Sequence, residues 1–212
     1  MRKPLYLAAF VFLFLSCNEG TEENQTTAGK KDSNSSPLTR PEKSAINPYV
    51  IVDVSPMDMC YFPVDYPKLK MAHSVSTAPL ARVIYSRPHL QGRRIFHEVL
   101  KYDEPWRLGA NEATELDLYR DAMVQGQKIK AGRYTLYCIP HPDNWTLAFN
   151  SNIDTWGLEQ DTTRDVARFT VPVLKTQNSL EYFTMLFEEK EREAILLMAW
   201  DDVEVRLPFS FR

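Results

Sequence analysis

The sequence predicts an all-β fold, a single antiparallel β-sandwich of jelly-roll-like type with brief helical turns. Three observations carry that expectation. From Tyr49 onward the apolar residues fall in short alternating runs and not at helical spacing. Turn-forming residues separate these runs at intervals of about 8 to 12 residues, the rhythm of a sandwich or barrel. The chain of 212 residues is 44% hydrophobic and 12% aromatic, which is enough for a buried core and argues against disorder or a fibrous repeat.

The elements follow in chain order. Arg2 and Lys3 precede an apolar run from Leu5 to Leu15. Its length suits a signal-peptide core and falls short of the roughly 20 residues that cross a bilayer. The run ends in Phe14-Leu15-Ser16-Cys17, which resembles a bacterial lipobox. Residues 1–16 are therefore expected to be a lipoprotein signal peptide, with Cys17 acylated and left as the mature amino terminus. Two or three acyl chains would anchor the protein to a membrane without spanning it. The alternative is an ordinary secretory signal with a chance cysteine. Residues 17–48 are rich in Glu, Thr, Asn, Ser and Lys, with almost no large apolar side chain. Such a stretch cannot offset its chain entropy by burial, so a flexible tether is expected. Glu19, Glu22 and Glu23 resemble the acidic export tags of some Gram-negative lipoproteins. The expected location is the outer membrane, with display toward the periplasm or the cell surface left open.

Residues 49–212 are expected to form the sandwich. Strand-like runs occur at Arg82–Tyr85, Arg94–Leu100, Ala113–Tyr119, Arg133–Ile139, Trp145–Phe149, Ala167–Leu174, Tyr182–Phe187, Ala194–Trp200 and Val203–Phe209. In Ala113–Tyr119, Leu116 and Leu118 share one face and Glu115 and Asp117 the other, the period of a half-buried strand. In the last run Val203, Val205, Leu207 and Phe209 point inward, and Pro208 marks an edge or a strand end. Gln125-Gly126, Ala131-Gly132 and His141-Pro142-Asp143-Asn144 supply turns, and Asp201-Asp202 is expected to close a tight hairpin. A brief helix is expected within Asp154–Arg164.

Composition and motifs exclude several functions. The 25 basic and 28 acidic side chains leave a formal charge of -3, which offers no basic field for nucleic acid. Loss of Arg2 and Lys3 with the leader makes the balance more acidic. None of the seven glycines forms a dinucleotide fingerprint, a phosphate loop or a nucleophile elbow. His73, His89, His97 and His141 show no zincin spacing, and no cysteines lie two residues apart, so no metal or cofactor is expected. Met57-Asp58-Met59-Cys60 is a weak soft-ligand cluster for Cu(I), and its alternation equally suits side chains packing inward from a strand. Cys60 and Cys138 would pair in an oxidising compartment if their Cα atoms lie within about 7 Å, although each also suits a packed thiol.

Residues 85–114 concentrate the chemistry. Tyr85-Ser86-Arg87-Pro88 ends a strand, Gly92-Arg93 turns, and Pro105-Trp106-Arg107-Leu108-Gly109-Ala110-Asn111-Glu112-Ala113-Thr114 leads into the next strand. With Ala131-Gly132, Tyr134, Leu136, Ile139-Pro140 and Trp200-Asp201, these motifs resemble the uncharacterised bacterial family catalogued as domain of unknown function 2911. The resemblance runs from about Ser55 to the end and implies secreted or lipid-anchored envelope proteins with no established activity. The asparagine-synthetase label sometimes given to members finds no support, because the chain has no Ser-Gly-Gly pyrophosphate loop and Cys17 would be acylated.

Read physically, Arg87, Arg93 and Arg107 could fork onto a carboxylate or sugar hydroxyls. Asn111 and Glu112 could accept complementary hydrogen bonds, and Trp106, with Trp145 and Trp156, could stack on a ring. The expected function is binding of a carbohydrate or other polar small molecule. The alternatives are an envelope hydrolase with Glu112 as acid or base and Arg107 stabilising charge, and a structural envelope component in which the same residues lock loops together. In that last case Arg107 and Glu112 would be a buried pair.

Overall fold

The computed structural model describes residues 53–191 and 193–211. The expected signal peptide, Cys17 and the tether lie outside the described residues. Thirteen elements follow one another. They begin with β1 (Met57–Phe62), α1 (Tyr66–Met71), β2 (Ala81–Ser86) and a π turn (Ile95–Val99). Next come β3 (Thr114–Leu118), β4 (Ala122–Val124), β5 (Gln127–Ile129), β6 (Gly132–Pro140) and β7 (Asn144–Asn150). A 3-10 turn (Thr162–Arg164), β8 (Asp165–Pro172), β9 (Leu174–Lys190) and β10 (Glu193–Phe211) complete the order.

The strands form two antiparallel sheets, ordered β1-β2-β3-β6-β7-β8 and β5-β4-β10-β9. Alternation places Val83, Leu116, Leu136, Leu147 and Phe169 on the inner face of the first sheet, all buried. The second sheet answers with Val124, Phe183, Met185, Leu196 and Phe209. Aromatic pairs bridge the layers: Phe62 with Phe187 at 6.0 Å, Tyr85 with Phe183 at 5.7 Å and Phe149 with Phe209 at 6.1 Å between ring centroids. Each such side chain contributes roughly 1.5–3 kcal/mol on full burial. The protein is thus an all-β sandwich.

Four local expectations need correction. Arg94–Leu100 is not a strand: the Leu100 amide bonds to the Ile95 carbonyl five residues back at 2.7 Å, closing the π turn. Glu98 holds that turn by accepting from the Arg94 amide at 2.7 Å. The brief helix expected within Asp154–Arg164 is confined to its last turn. Asp154 and Gly157 both have positive φ, 57° and 75°, and only Thr162–Arg164 coils, capped by Asp161. An unexpected α-helix lies at Tyr66–Met71, started by Pro67 near its N-terminus, and it buries no residue, so no apolar period announces it.

Asp201-Asp202 is not a hairpin, because β10 runs through it. Asp201 has φ 52°, and the register with β9 shifts on both sides of it. This β-bulge changes the phase of burial. Ala194, Leu196, Met198 and Trp200 face the core before it, and Val203, Val205, Leu207 and Phe209 after it. Pro208 lies beyond Glu204, the last β10 residue in register with β9, where no ladder donor is needed on that side.

Among the described residues, Cys60 and Cys138 are unpaired. Cys60 is partly buried, Cys138 fully, and both are free thiols, so the bridge does not form. Met57 and Met59 lie half-exposed on one face of β1, and alternation turns Cys60 to the other, which separates the soft ligands of the proposed copper cluster. Among the described residues no group of three His, Cys, Asp or Glu is placed to hold a metal, and no helix is long and apolar enough to cross a membrane.

Candidate ligand-binding site

β2 and β3 are antiparallel neighbours, with Val83 opposite Leu116. Such strands can be joined by two residues. Here residues 87–113 intervene, and a connection of that length in a compact domain commonly carries function. Its entry is tied to β9: the Leu90 amide donates to the Glu181 carbonyl at 3.0 Å and the Phe183 amide to that of Pro88 at 2.9 Å. Its exit is tied to β6, where Trp106 and Cys138 exchange backbone hydrogen bonds of 2.7 and 2.8 Å.

After Trp106 the backbone is forced. Leu108, wholly buried, has φ 54°, a left-handed conformation costing a bulky residue roughly 1–2 kcal/mol. Its carbonyl accepts from the Thr114 hydroxyl at 2.7 Å, and the Gly109 carbonyl accepts from the Trp106 indole at 3.0 Å. A Cβ at Gly109 would stand 3.2 Å from the Ser86 carbonyl oxygen, so the loop presses against the end of β2. Burial of Leu108 and these bonds hold a strained turn, which fixes Arg107 between them.

Arg107 lines a cavity of about 250 Å³ whose other walls include Pro88, Val99, Leu100, Trp106 and Trp200. Its Nε is enclosed and has no hydrogen-bond partner among the described residues. Burial pulls its pKa below the ordinary arginine value, and the charge of Glu112 opposes that only in part. The result is a partly buried, fixed cation on an otherwise apolar wall. An anion entering the cavity would meet the one charged side chain that lines it.

The other predicted residues divide sharply. Arg87 is a clamp: Nε donates to the Phe183 carbonyl at 3.2 Å, Nη2 to Thr184 at 3.2 Å and Nη1 to Asp58 at 3.3 Å. Arg93 closes its own loop through the Leu90 and His89 carbonyls at 2.8 and 3.0 Å. Asn111 donates to Asp53 at 2.5 Å and holds the segment before β1. Glu112 is exposed, so it is not the partner in a buried pair. Trp106 is only 8% exposed and packs against Trp200 at 5.6 Å and Phe183 at 4.9 Å, offering an edge to the cavity more than a platform. Trp145 is wholly buried, and Trp156 is 52% exposed.

Sequence reasoning brought Trp106 and Arg107 to one site and missed Pro88, Val99, Leu100 and Trp200 as its walls. Trp200 was visible only as part of a motif. A cavity of about 280 Å³ beside Asp121, Ala122, Met123 and Lys128 is larger, but Lys128 and Lys130 already satisfy Asp121 there at 2.9 and 3.1 Å. We therefore take the smaller cavity as the site.

Fold and site together define a β-sandwich with a loop-built cavity carrying one partly buried cation. The chain belongs to the family described as Protein of unknown function (DUF2911), whose profile matches residues 67–209, a range that contains the whole cavity wall. No curated protein and no solved structure matches the chain significantly.

Proposed function

We propose that the protein is a binding domain that takes a small molecule bearing an anionic group in the Arg107 cavity, and that a lipid on Cys17 tethers it to the outer membrane. One observation supports this above the others: Arg107 is the arginine of its loop whose enclosed nitrogen lacks a partner, whereas Arg87 and Arg93 are satisfied internally. A free carbohydrate is a poorer occupant than first expected, because the walls beyond Arg107 are mainly apolar and would leave hydroxyls without partners. The hydrolase reading loses support because Glu112 is exposed and does not line the cavity.

The test is a thermal-shift screen of small carboxylates, phosphates and neutral sugars against wild type and Arg107→Met. Anions should raise the melting temperature of wild type, and Arg107→Met should bind them at least tenfold more weakly, since a charge-assisted hydrogen bond is worth about 1.5–3 kcal/mol. Shifts produced by sugars alone and kept by the variant would overturn the proposal.

A further inference from the structure

The Arg107 cavity has a neighbour. A second cavity of about 220 Å³ shares Val99, Leu100 and Trp106 with it as common walls and extends past Pro105 to Lys101 and Glu104. We propose that the two are halves of one site for an amphiphilic monocarboxylate. The carboxylate sits on Arg107, and the apolar body lies across Val99 and Leu100 against Trp106 toward Pro105. This rests on the Arg107 cavity being the binding site.

Charge distribution supports a single anionic head. Arg107 is the one ionisable side chain of its cavity, so a second anionic group on the ligand would be desolvated without a partner. The charges of the second cavity already answer each other, Lys101 Nζ lying 3.3 Å from Glu104 Oε1 with both side chains largely exposed. What that half offers is apolar surface. Size points the same way, because about 250 and 220 Å³ are each below the roughly 300 Å³ at which pockets for drug-sized ligands begin, and together they exceed it.

The partition is also the part of the wall best able to yield. Val99 and Leu100 are partly buried aliphatic side chains packed against the core, at the C-terminal end of the π turn. Such turns occur often at functional sites. A rotamer change at Leu100 would join the two halves without disturbing a strand.

A tryptophan-fluorescence titration with straight-chain carboxylates from acetate to octanoate tests this, with Trp106 and Trp200 as reporters. Affinity should rise about fourfold for each added methylene once the chain passes Leu100. The matching alcohols should bind at least tenfold more weakly. Leu100→Trp, which fills the passage, should flatten the length dependence. Carboxylates that bind wild type with no dependence on length would overturn the bipartite site and leave the Arg107 reading intact. Failure of every carboxylate, short and long, would overturn both. Alcohols binding as well as acids would remove Arg107 as the anchor of the head group.

Discussion

Arg87 and Arg107 lie in one loop and have opposite energetics. Arg87 reaches acceptors on β1 and β9, all far away in sequence. Arg87→Ala should therefore lower stability by about 1–3 kcal/mol, the usual value for lost charge-assisted hydrogen bonds. Arg107→Met should leave stability unchanged or raise it, because it replaces a partly buried guanidinium whose Nε has no partner with an apolar chain of similar length. Urea unfolding of the two variants compares them directly, and the reverse order would remove Arg107 as a functional rather than structural cation. Glu112→Ala, expected to be costly if Glu112 were buried, should now fall within about 0.5 kcal/mol of wild type. Trp106→Ala cannot separate binding from folding, since removing so buried an aromatic costs about 3–5 kcal/mol. Gly157 offers a cleaner probe of the loop. It has φ 75°, and a Cβ there would come within 2.8 Å of the Ala113 Cβ and 3.2 Å of the Arg107 Cβ. Gly157→Ala should cost at least about 1 kcal/mol and weaken anion binding by displacing Arg107. The sequence marked this loop as arginine-rich but could not say which arginine was free. That depends on carbonyls of Phe183 and Leu90 whose positions only the fold supplies.

At the scale of elements, β10 shows what alternation reveals and conceals. Its second inward set was legible, with Val203, Val205, Leu207 and Phe209 assigned correctly to one face, whereas Ala194–Trp200 is apolar at every position and shows no alternation. The Asp201-Asp202 break was legible too, but a bulge and a two-residue turn both interrupt a period of two with polar residues. Long-range pairing distinguishes them: Ala199 lies opposite Thr184 and Val203 opposite Lys175, so the strand continues along one partner. Deleting Asp202 should be tolerated, because it removes the extra residue and lets one unbroken alternation carry Trp200, Val203, Val205, Leu207 and Phe209 inward. Asp202→Ala should cost under about 1 kcal/mol, as it removes only the surface pair with Lys175 at 3.0 Å. Near-ultraviolet circular dichroism and thermal melts should show cooperative unfolding for both variants. A deletion variant that loses cooperative unfolding would mean that the bulge does more than reset the phase. The π turn escaped notice for a related reason: a short apolar run around one buried Ile95 is the same in a strand and a single turn.

For the whole molecule, the sandwich expected after Tyr49 is what the fold shows, and the address expected at Cys17 lies outside the described residues. The address is checked by acyl labelling: wild type should take label and sediment with membranes, and Cys17→Ala should do neither. The sandwich has a consequence at alkaline pH that composition alone does not give. Burial, with Asp58 adding to it, pushes the Cys60 thiol up to about 12. Burial also raises Cys138 well above the ordinary thiol value. Burial and then the hydrogen bond to Asp165 raise Tyr137 to about 12. Tyr85 is raised as well, chiefly by burial, although its hydroxyl accepts from the Met185 amide at 2.9 Å. In the unfolded chain thiols ionise near 8.5 and phenols near 10. Each group therefore holds its proton more tightly when folded, and its contribution to stability is complete below its unfolded pKa. That contribution declines as pH rises toward 12, by about 1.4 kcal/mol per pH unit for each group in the affected range. Urea midpoints measured from pH 8 to 11 should fall from about pH 9 and steepen above 10 as the tyrosines join. Replacing Cys60 and Cys138 together by Ala should lower stability at pH 8, since Cys138 fills the core, yet delay the alkaline decline to about pH 10. A wild-type midpoint that stays flat to pH 11 would mean these groups open to water before they ionise.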